Sequence, residues 1–393
     1  MPGPMDGVTV VELGGWVAGP SASAVLADWG AEVVKIEPPD GDPNRAWMTE
    51  CNPAFELDNR GKRSITLDLS VAAARRIALQ LVERADVFVT NLRESALAGM
   101  GLDYPSVSER CPALVYASVT GYGSTGPDRD RPAYEGGAFW SRSGALLAMT
   151  PPGGDLPALP GGAGDHVTAV TAVAGIAAAL FARRGSGRGQ HVTTSLLRAG
   201  MFMMGFDLNV AARFGTPVTP LARAEARNPL YNAYRTADGA WVFLLGLQPD
   251  RHWSPVAAAV GHPEWLDDPR FATREGRAAN NRALIALLDE AFAARPLGEW
   301  SAALDAHGVW WTRIQTPLDL LSDPQAEACG GFVEAPVTDG SARMVASPLD
   351  FTGTPWTVRR RAPEVGEHTE EVLQWLGYDW EAIGRLRGDG VLG

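Results

Sequence analysis

Short β-branched runs alternate with helix-length segments through the first 121 residues, and that alternation leaves few folds open. "VTVVEL" (8–13) and "AEVVKIE" (31–37) read as strands, joined through the loop "GGWVAGP" and a helix from about Ser21 to Trp29. Pro20 suits the first helical turn, where a missing N–H leaves nothing unpaired. A helix "VAAARRIALQLVER" (71–84) leads to the strand "DVFVTN" (86–91), and "ALVYASVTG" (113–121) is a further strand. Strands joined through helices run parallel, so the expectation is α/β: a doubly wound parallel sheet covered on both faces.

"VTAVTAVAGIAAALFARR" (167–184) is hydrophobic all round and rich in alanine, which predicts a helix buried in protein. Beyond "GSGRGQ" (185–190) and "HVTTSLL", an apolar helix runs to about Phe214, completing the first part of a large domain, 1–214. Residues 215–229 are linker-like, with proline and charge but no periodicity. Residues 230–322 read as a smaller α+β domain, with a hairpin around "ADG" and amphipathic helices such as "NNRALIALLDEAFAARP" (280–296). A second linker, 323–350, precedes a segment, 351–393, that returns to the large domain and carries the helix "TEEVLQWLGY" (369–378).

Charge narrows the partners. Thirty-four basic against 46 acidic residues, net −12, argue against nucleic acid or an anionic membrane as partner. An anionic ligand must then meet a local cluster of donors. Cys51, Cys111 and Cys329 form neither a disulfide framework nor a zinc pattern, which predicts a reducing, cytoplasmic setting. The six histidines show no metal-ligand spacing, so no metal is expected.

Several short patterns carry chemistry. Gly14, Gly15 and Gly19 follow the first strand, and Glu37 ends the next, but the glycine spacing is wrong for dinucleotide binding. Backbone N–H groups at the start of that helix remain able to bind an anion or a carbonyl. Lys62, Arg63, Asn91 and Arg93 are surface charges or, together, phosphate contacts. "GYGSTGP" (121–127) and "GSGRGQ" lack the ending of a phosphate loop, and no G-x-S-x-G elbow occurs. Asp165 lies where a glycine-rich loop becomes helix, with His166 beside it. One reading is a helix N-cap, kept ionised by the helix dipole. The other is a nucleophile.

The whole chain resembles the family III CoA-transferases, the group that includes formyl-CoA transferase, and the related α-methylacyl-CoA racemases. The resemblance runs through "GWVAGP", "VVKIEPPDGDPNR", "NRGKRSITLDLS", "ADVFVTNLRESALAGMGL", "RPAYEGGAFWSRSG", "GDHVTAVTAVAGIAAALFARRGSGRGQ" and "GEHTEEVLQWLG" in order. It implies that Asp165 is the nucleophile, passing through an aspartyl anhydride and an aspartyl-CoA thioester as CoA moves from an acyl-CoA to a free carboxylic acid. It implies oxyanion donors at Val17 and Ala18, and CoA contacts at Leu67, Asp68, Leu69, Ser70, Asn91, Leu92, Arg93, Ala133, Tyr134 and Glu135. It also implies an interlocked homodimer.

Departures from the family pattern matter. Basic CoA-binding positions of some members correspond here to Pro38, Ser70 and Gly99, with Arg45, Lys62, Arg63 or Arg93 as substitutes. Trp310 and Trp311 stand where relatives favour small residues, and either line the acyl pocket or pack in a core. Tyr134 occupies the place of the racemase histidine, and a phenol is a poor neutral-pH base for an α-proton. A transferase is therefore preferred over an epimerase, with a nicotinamide enzyme and a non-catalytic CoA-binding protein as further alternatives.

Overall fold

The β-branched runs form a six-stranded parallel sheet in the computed structural model, which describes residues 2–48 and 51–393. The chain runs through β1 (Thr9–Leu13), α1 (Ala18–Asp28), β2 (Glu32–Glu37), α2 (Pro53–Asn59), β3 (Lys62–Thr66), α3 (Ala72–Glu83), β4 (Val87–Thr90), α4 (Glu94–Met100), α5 (Tyr104–Arg110) and β5 (Val115–Thr120). It continues through α6 (Ala145–Ala148), α7 (Ala163–Ser186), β6 (His191–Ser195), α8 (Leu196–Met203) and α9 (Gly205–Phe214). The sheet order is β3-β2-β1-β4-β5-β6, with each neighbouring pair parallel. Strand order reverses between β1 and β4, and such a reversal opens a crevice at the carboxyl ends of the strands.

Successive strand residues point to opposite faces, which gives two cores. Val10, Val33, Val87 and Val115 pack with α1 and α7, while Val11, Val34, Ile36 and Ile65 pack with α3. The sequence reading assigned no strand to 62–66, because Lys62 and Arg63 open it with charge; that charge is internally paired. β6 was likewise hidden in the polar run "HVTTS". The apolar α7 is longer than 167–184 and buries one stripe, Ala169, Ala172, Val173, Ile176 and Ala179. Its other side is open in the single chain, with Val170 39% and Phe181 76% exposed. Burial all round is therefore not what one chain provides.

Contacts divide the chain into two units: residues to Leu147, Pro157–Val218 and Gly330–Gly393 in the first, Ala148–Leu156 and Thr219–Cys329 in the second. The second unit holds an antiparallel sheet of β7 (Ala233–Arg235), β8 (Trp241–Leu244) and β9 (Trp311–Ile314), order β7-β8-β9. Its helices are α10 (Pro249–Ala259), α11 (Arg274–Ala279), α12 (Asn281–Ala293), α13 (Leu297–Ala306), α14 (Pro317–Leu320) and α15 (Pro324–Ala328). Trp253, Trp265, Trp300, Phe271 and Phe292 build its core. The first unit resumes with the hairpin β10 (Phe332–Val337) and β11 (Gly340–Val345), then α16 (Thr369–Leu376) and α17 (Trp380–Gly388). The hairpin falls within the stretch read as a second linker. Val372, Leu373, Ile383, Val391 and Leu392 complete the core beneath α3.

Candidate active site

A cavity of about 420 Å³ opens at the switch point of the parallel sheet. The residues that follow each strand reach it: Gly14–Ala18 after β1, Pro38 and Pro39 after β2, Leu67–Leu69 after β3, Asn91 and Leu92 after β4, Gly121 after β5 and Leu196 after β6. Of the residues singled out from sequence, Asp165, Val17, Ala18, Leu67, Asp68, Leu69, Asn91, Leu92, Ala133 and Tyr134 line it together. Ser70, Arg93 and Glu135 do not. Ser70 closes a turn, donating its N–H to Asp68 Oδ1 at 3.0 Å, and Arg93 is exposed at the start of α4.

Two helices begin at this cavity. α1 starts after Trp16, the only non-glycine with positive φ (64°) among the described residues. A bulky side chain disfavours that conformation, so the surroundings must impose it. The first helical bond runs from Ser21 N–H to Val17 O at 2.7 Å, and no side chain caps the helix. First-turn N–H groups have no carbonyl four residues back, and here no acidic residue stands in that turn. Val17 and Ala18 thus bring to the cavity wall N–H donors that have no partner among the described residues.

α7 starts differently. Its N-cap is Gly162 (φ 73°), and Asp165 is the third helical residue, which corrects the N-cap reading. Capping falls to Glu135, whose carboxylate accepts from Gly162 N–H at 2.6 Å, Gly164 N–H at 2.7 Å and Asp165 N–H at 3.3 Å. Gly164 is needed because a Cβ there would lie 2.6 Å from the Phe139 ring. The dipole expectation is also overturned. Burial pushes the Asp165 carboxyl up to about 7, with Glu135 and Asp58 adding to the rise and His166 opposing it. A helix terminus already occupied by one carboxylate does not hold a second one ionised.

His166 is held by Asp58, Nε2 to Oδ1 at 3.0 Å. That hydrogen bond, against the pull of burial, raises its pKa, and Asp165 and Glu135 raise it further. His166 is thus held by Asp58 next to the cavity carboxylate, with its pKa raised, a placement that residue type alone left open.

Three basic residues proposed for phosphate are committed elsewhere. Lys62 is fully buried and meets Glu12 at 2.7 Å, Pro20 O at 2.8 Å and Asn59 Oδ1 at 2.9 Å. Arg45 grips Glu37 at 2.7 and 2.8 Å, and Arg63 pairs with Glu371 at 3.1 Å. Burial, then Lys35, holds Lys62 down to about 8, although Glu12 opposes this. Glu37, the acidic residue a dinucleotide ribose would need, is spent on Arg45, Ser64 and Asp42 N–H. Glu37 is therefore not free for a ribose, which counts against the nicotinamide alternative.

Sequence reasoning missed Lys35, Asp42, Asn44 and Asp58, all buried. The available signal was a charge inside an apolar parallel strand, Glu12 in "VVEL" and Lys35 in "VVKIE", which must find a partner. Lys35 Nζ meets Glu12 at 2.7 Å and Asp42 at 2.8 Å. Trp16 stacks edge-on to Tyr134 at 5.3 Å, which makes an aromatic side to the cavity. Trp310 and Trp311 belong to the second unit, where Trp310 is 52% exposed beside His252 and Trp311 donates to Asp305 at 2.8 Å.

Comparison with known proteins accords with this geometry. The model of CoA-transferase family III matches residues 5–369. The (R)-2-hydroxy-4-methylpentanoate CoA-transferase of Clostridioides difficile is 32% identical over 397 residues, 99% of each chain. The cinnamoyl-CoA:phenyllactate CoA-transferase of Clostridium sporogenes is 31% identical, covering 98% of this chain and 96% of its own. A CAIB/BAIF family protein from Brucella suis superposes with a TM-score of 0.86 at 30% identity, over 96% of this chain and 100% of its own. With a family match over nearly the whole length and full-length relatives above 30% identity, this chain belongs to CoA-transferase family III.

Proposed function

We propose that the enzyme moves CoA from an acyl-CoA thioester to a free carboxylic acid, with Asp165 as the covalent nucleophile. The observation that carries this reading is the placement of a half-buried carboxylate, ionising near neutrality, in one cavity with the free N–H groups of Val17 and Ala18. A carboxylate attacks a thioester carbonyl only as the anion, and the resulting oxyanion needs donors already in place.

In the first step an Asp165 oxygen bonds to the thioester carbonyl carbon, and the C–S bond breaks to give a mixed anhydride and CoA thiolate. The thiolate attacks the aspartyl carbonyl, releasing the donor acid and leaving an aspartyl-CoA thioester. The acceptor carboxylate attacks that thioester, and the thiolate leaves again. Its final attack on the acceptor carbonyl gives the new acyl-CoA and returns Asp165 to carboxylate. The steps alternate between thioester and anhydride, and each consumes one anion and releases another, so no proton is gained or lost overall. Water must be excluded, because both intermediates hydrolyse.

CoA is the travelling substrate, with Leu67–Leu69, Asn91, Leu92, Ala133 and Tyr134 as its contacts in the cavity and Ser70, Arg93 and Glu135 as contacts beyond the cavity lining; no metal is invoked. The apolar lining, which includes Leu13, Ile36, Leu92, Leu196 and Trp16, suits an acyl group with a hydrocarbon body. We also propose an interlocked homodimer with chain crossings at 215–229 and 323–350. Its support is the apolar surface of α8 and α9, where Phe202 is 89%, Phe206 76% and Phe214 70% exposed. A cytoplasmic location fits three cysteines that are free thiols.

The test is a screen of purified enzyme against acyl-CoA and acid pairs, read by mass. Hydroxylamine then cleaves the activated aspartyl intermediate, releasing the acid or CoA and leaving a hydroxamate on Asp165 in the wild type, and leaves none in Asp165→Ala. Turnover by that variant at the wild-type rate overturns the nucleophile.

A further inference from the structure

Three consecutive peptide groups of the β1–α1 loop are held in different ways. In the first, Gly14 O accepts from Lys35 Nζ at 3.1 Å and Gly15 N–H donates to Asn91 Oδ1 at 3.1 Å. In the second, Gly15 O accepts from Asn91 Nδ2 at 2.7 Å and Trp16 N–H donates to Asp42 Oδ1 at 3.0 Å. Both are pinned at each end. In the third, Trp16 O accepts from Asn44 Nδ2 at 3.2 Å, while Val17 N–H has no partner among the described residues.

A peptide group is planar and trans, so its C=O and N–H point in opposite directions. Whatever fixes Trp16 O therefore aims Val17 N–H. Asn44 is well placed to do so: it is 2% exposed, its own N–H is taken by Asp42 Oδ1 at 2.9 Å, and its carbonyl accepts from Asn52 Nδ2 at 2.6 Å. The left-handed Trp16 is the strained joint that this grip maintains.

We propose that Asn44 is a positioning residue for the acyl-oxygen site: its side-chain amide holds the Trp16 carbonyl back and thereby turns Val17 N–H into the cavity. This rests on the reading of Val17 as an oxyanion donor. Asn44 itself touches no reacting atom.

Asn44→Asp keeps the shape but accepts instead of donating, so the third peptide is free to turn over. With the pair found by screening, kcat falls about 10²-fold, the loss of one oxyanion donor, while KM for the acyl-CoA stays within about threefold. A second measurement needs no turnover. [1-¹³C]acetyl-CoA bound to Asp165→Ala shows its thioester carbonyl band moved to lower frequency by hydrogen bonding, and adding Asn44→Asp abolishes that displacement. Should Asn44→Asp not fold, Asn44→Ser, which is shorter by the amide and carries no charge, has the same expectations. An unchanged kcat, a rise confined to KM, or an undisturbed carbonyl band overturns the proposal. Failure of the nucleophile reading shows separately, as turnover by Asp165→Ala alone.

Discussion

The two helices that begin at the cavity use one physical device to opposite ends. The start of α1 has no cap and no acid in its first turn, so its N–H groups stay available to a ligand. The start of α7 is saturated by Glu135, so Asp165, in its first turn, gains little from the dipole and is raised to about 7 by burial and by Glu135. A helix N-terminus favours an anion only while it is vacant. One terminus is left open, as the proposed oxyanion site requires; the other is filled, which makes the proposed nucleophile, Asp165, less stable as an anion and hence more basic.

The sharpest way to break this contrast is to delete the proposed nucleophile. Asp165→Ala is expected to lower transfer by about 10⁴-fold or more, with CoA affinity by calorimetry unchanged. Next comes the open terminus. A Cβ at Gly14 would lie 2.5 Å from Asn91 Oδ1, so Gly14→Ala must displace the side chain that latches Gly15 at both ends. Loss of kcat by about 10- to 100-fold is expected, with about 1–3 kcal/mol of stability by denaturant titration.

At the filled terminus the two neighbours of Asp165 act in opposite senses, which pH–rate profiles resolve. Because the anion is the reactive form, kcat/KM rises with pH through about 7. His166→Gln removes the group that lowers the Asp165 pKa and moves this limb to higher pH; Glu135→Gln removes one that raises it and moves the limb lower. Shifts in the same direction for both variants refute the assignment. The smallest effect is on stability. The folded chain holds the Asp165 proton more tightly than the unfolded chain, so stability falls as pH rises from about 4 to 7. Asp165→Asn, which cannot ionise, should stabilise the fold at pH 8 by about 2 kcal/mol, roughly half the fully desolvated value because solvent reaches the group. At pH 4 the gain should vanish.

The parallel sheet was legible because β1, β2, β4 and β5 are short runs rich in valine and other β-branched or aromatic residues, largely buried on both faces. β3 was not, since Lys62 disguises a fully buried strand as surface. Asp165 could be placed at a loop-to-helix junction from its glycines, but its ionisation could not: that is raised first by burial in the folded chain and then by Glu135, 30 residues away in sequence. Nor could the aim of Val17 N–H, which depends on Asn44 in a separate turn. Patterns along the chain report periodicity, whereas these two properties arise from side chains that meet only after folding.

The discontinuity of the first unit has a consequence for biosynthesis. Val391 and Leu392 complete a core founded by Val11 and Val34, nearly the whole chain earlier. While a ribosome is still translating the second unit, the face of the sheet under α3 lacks α16 and α17 and stays exposed. The intervening unit, continuous from Thr219 to Cys329 apart from one short strap, is free to settle first, and the first unit waits for Val391 and Leu392.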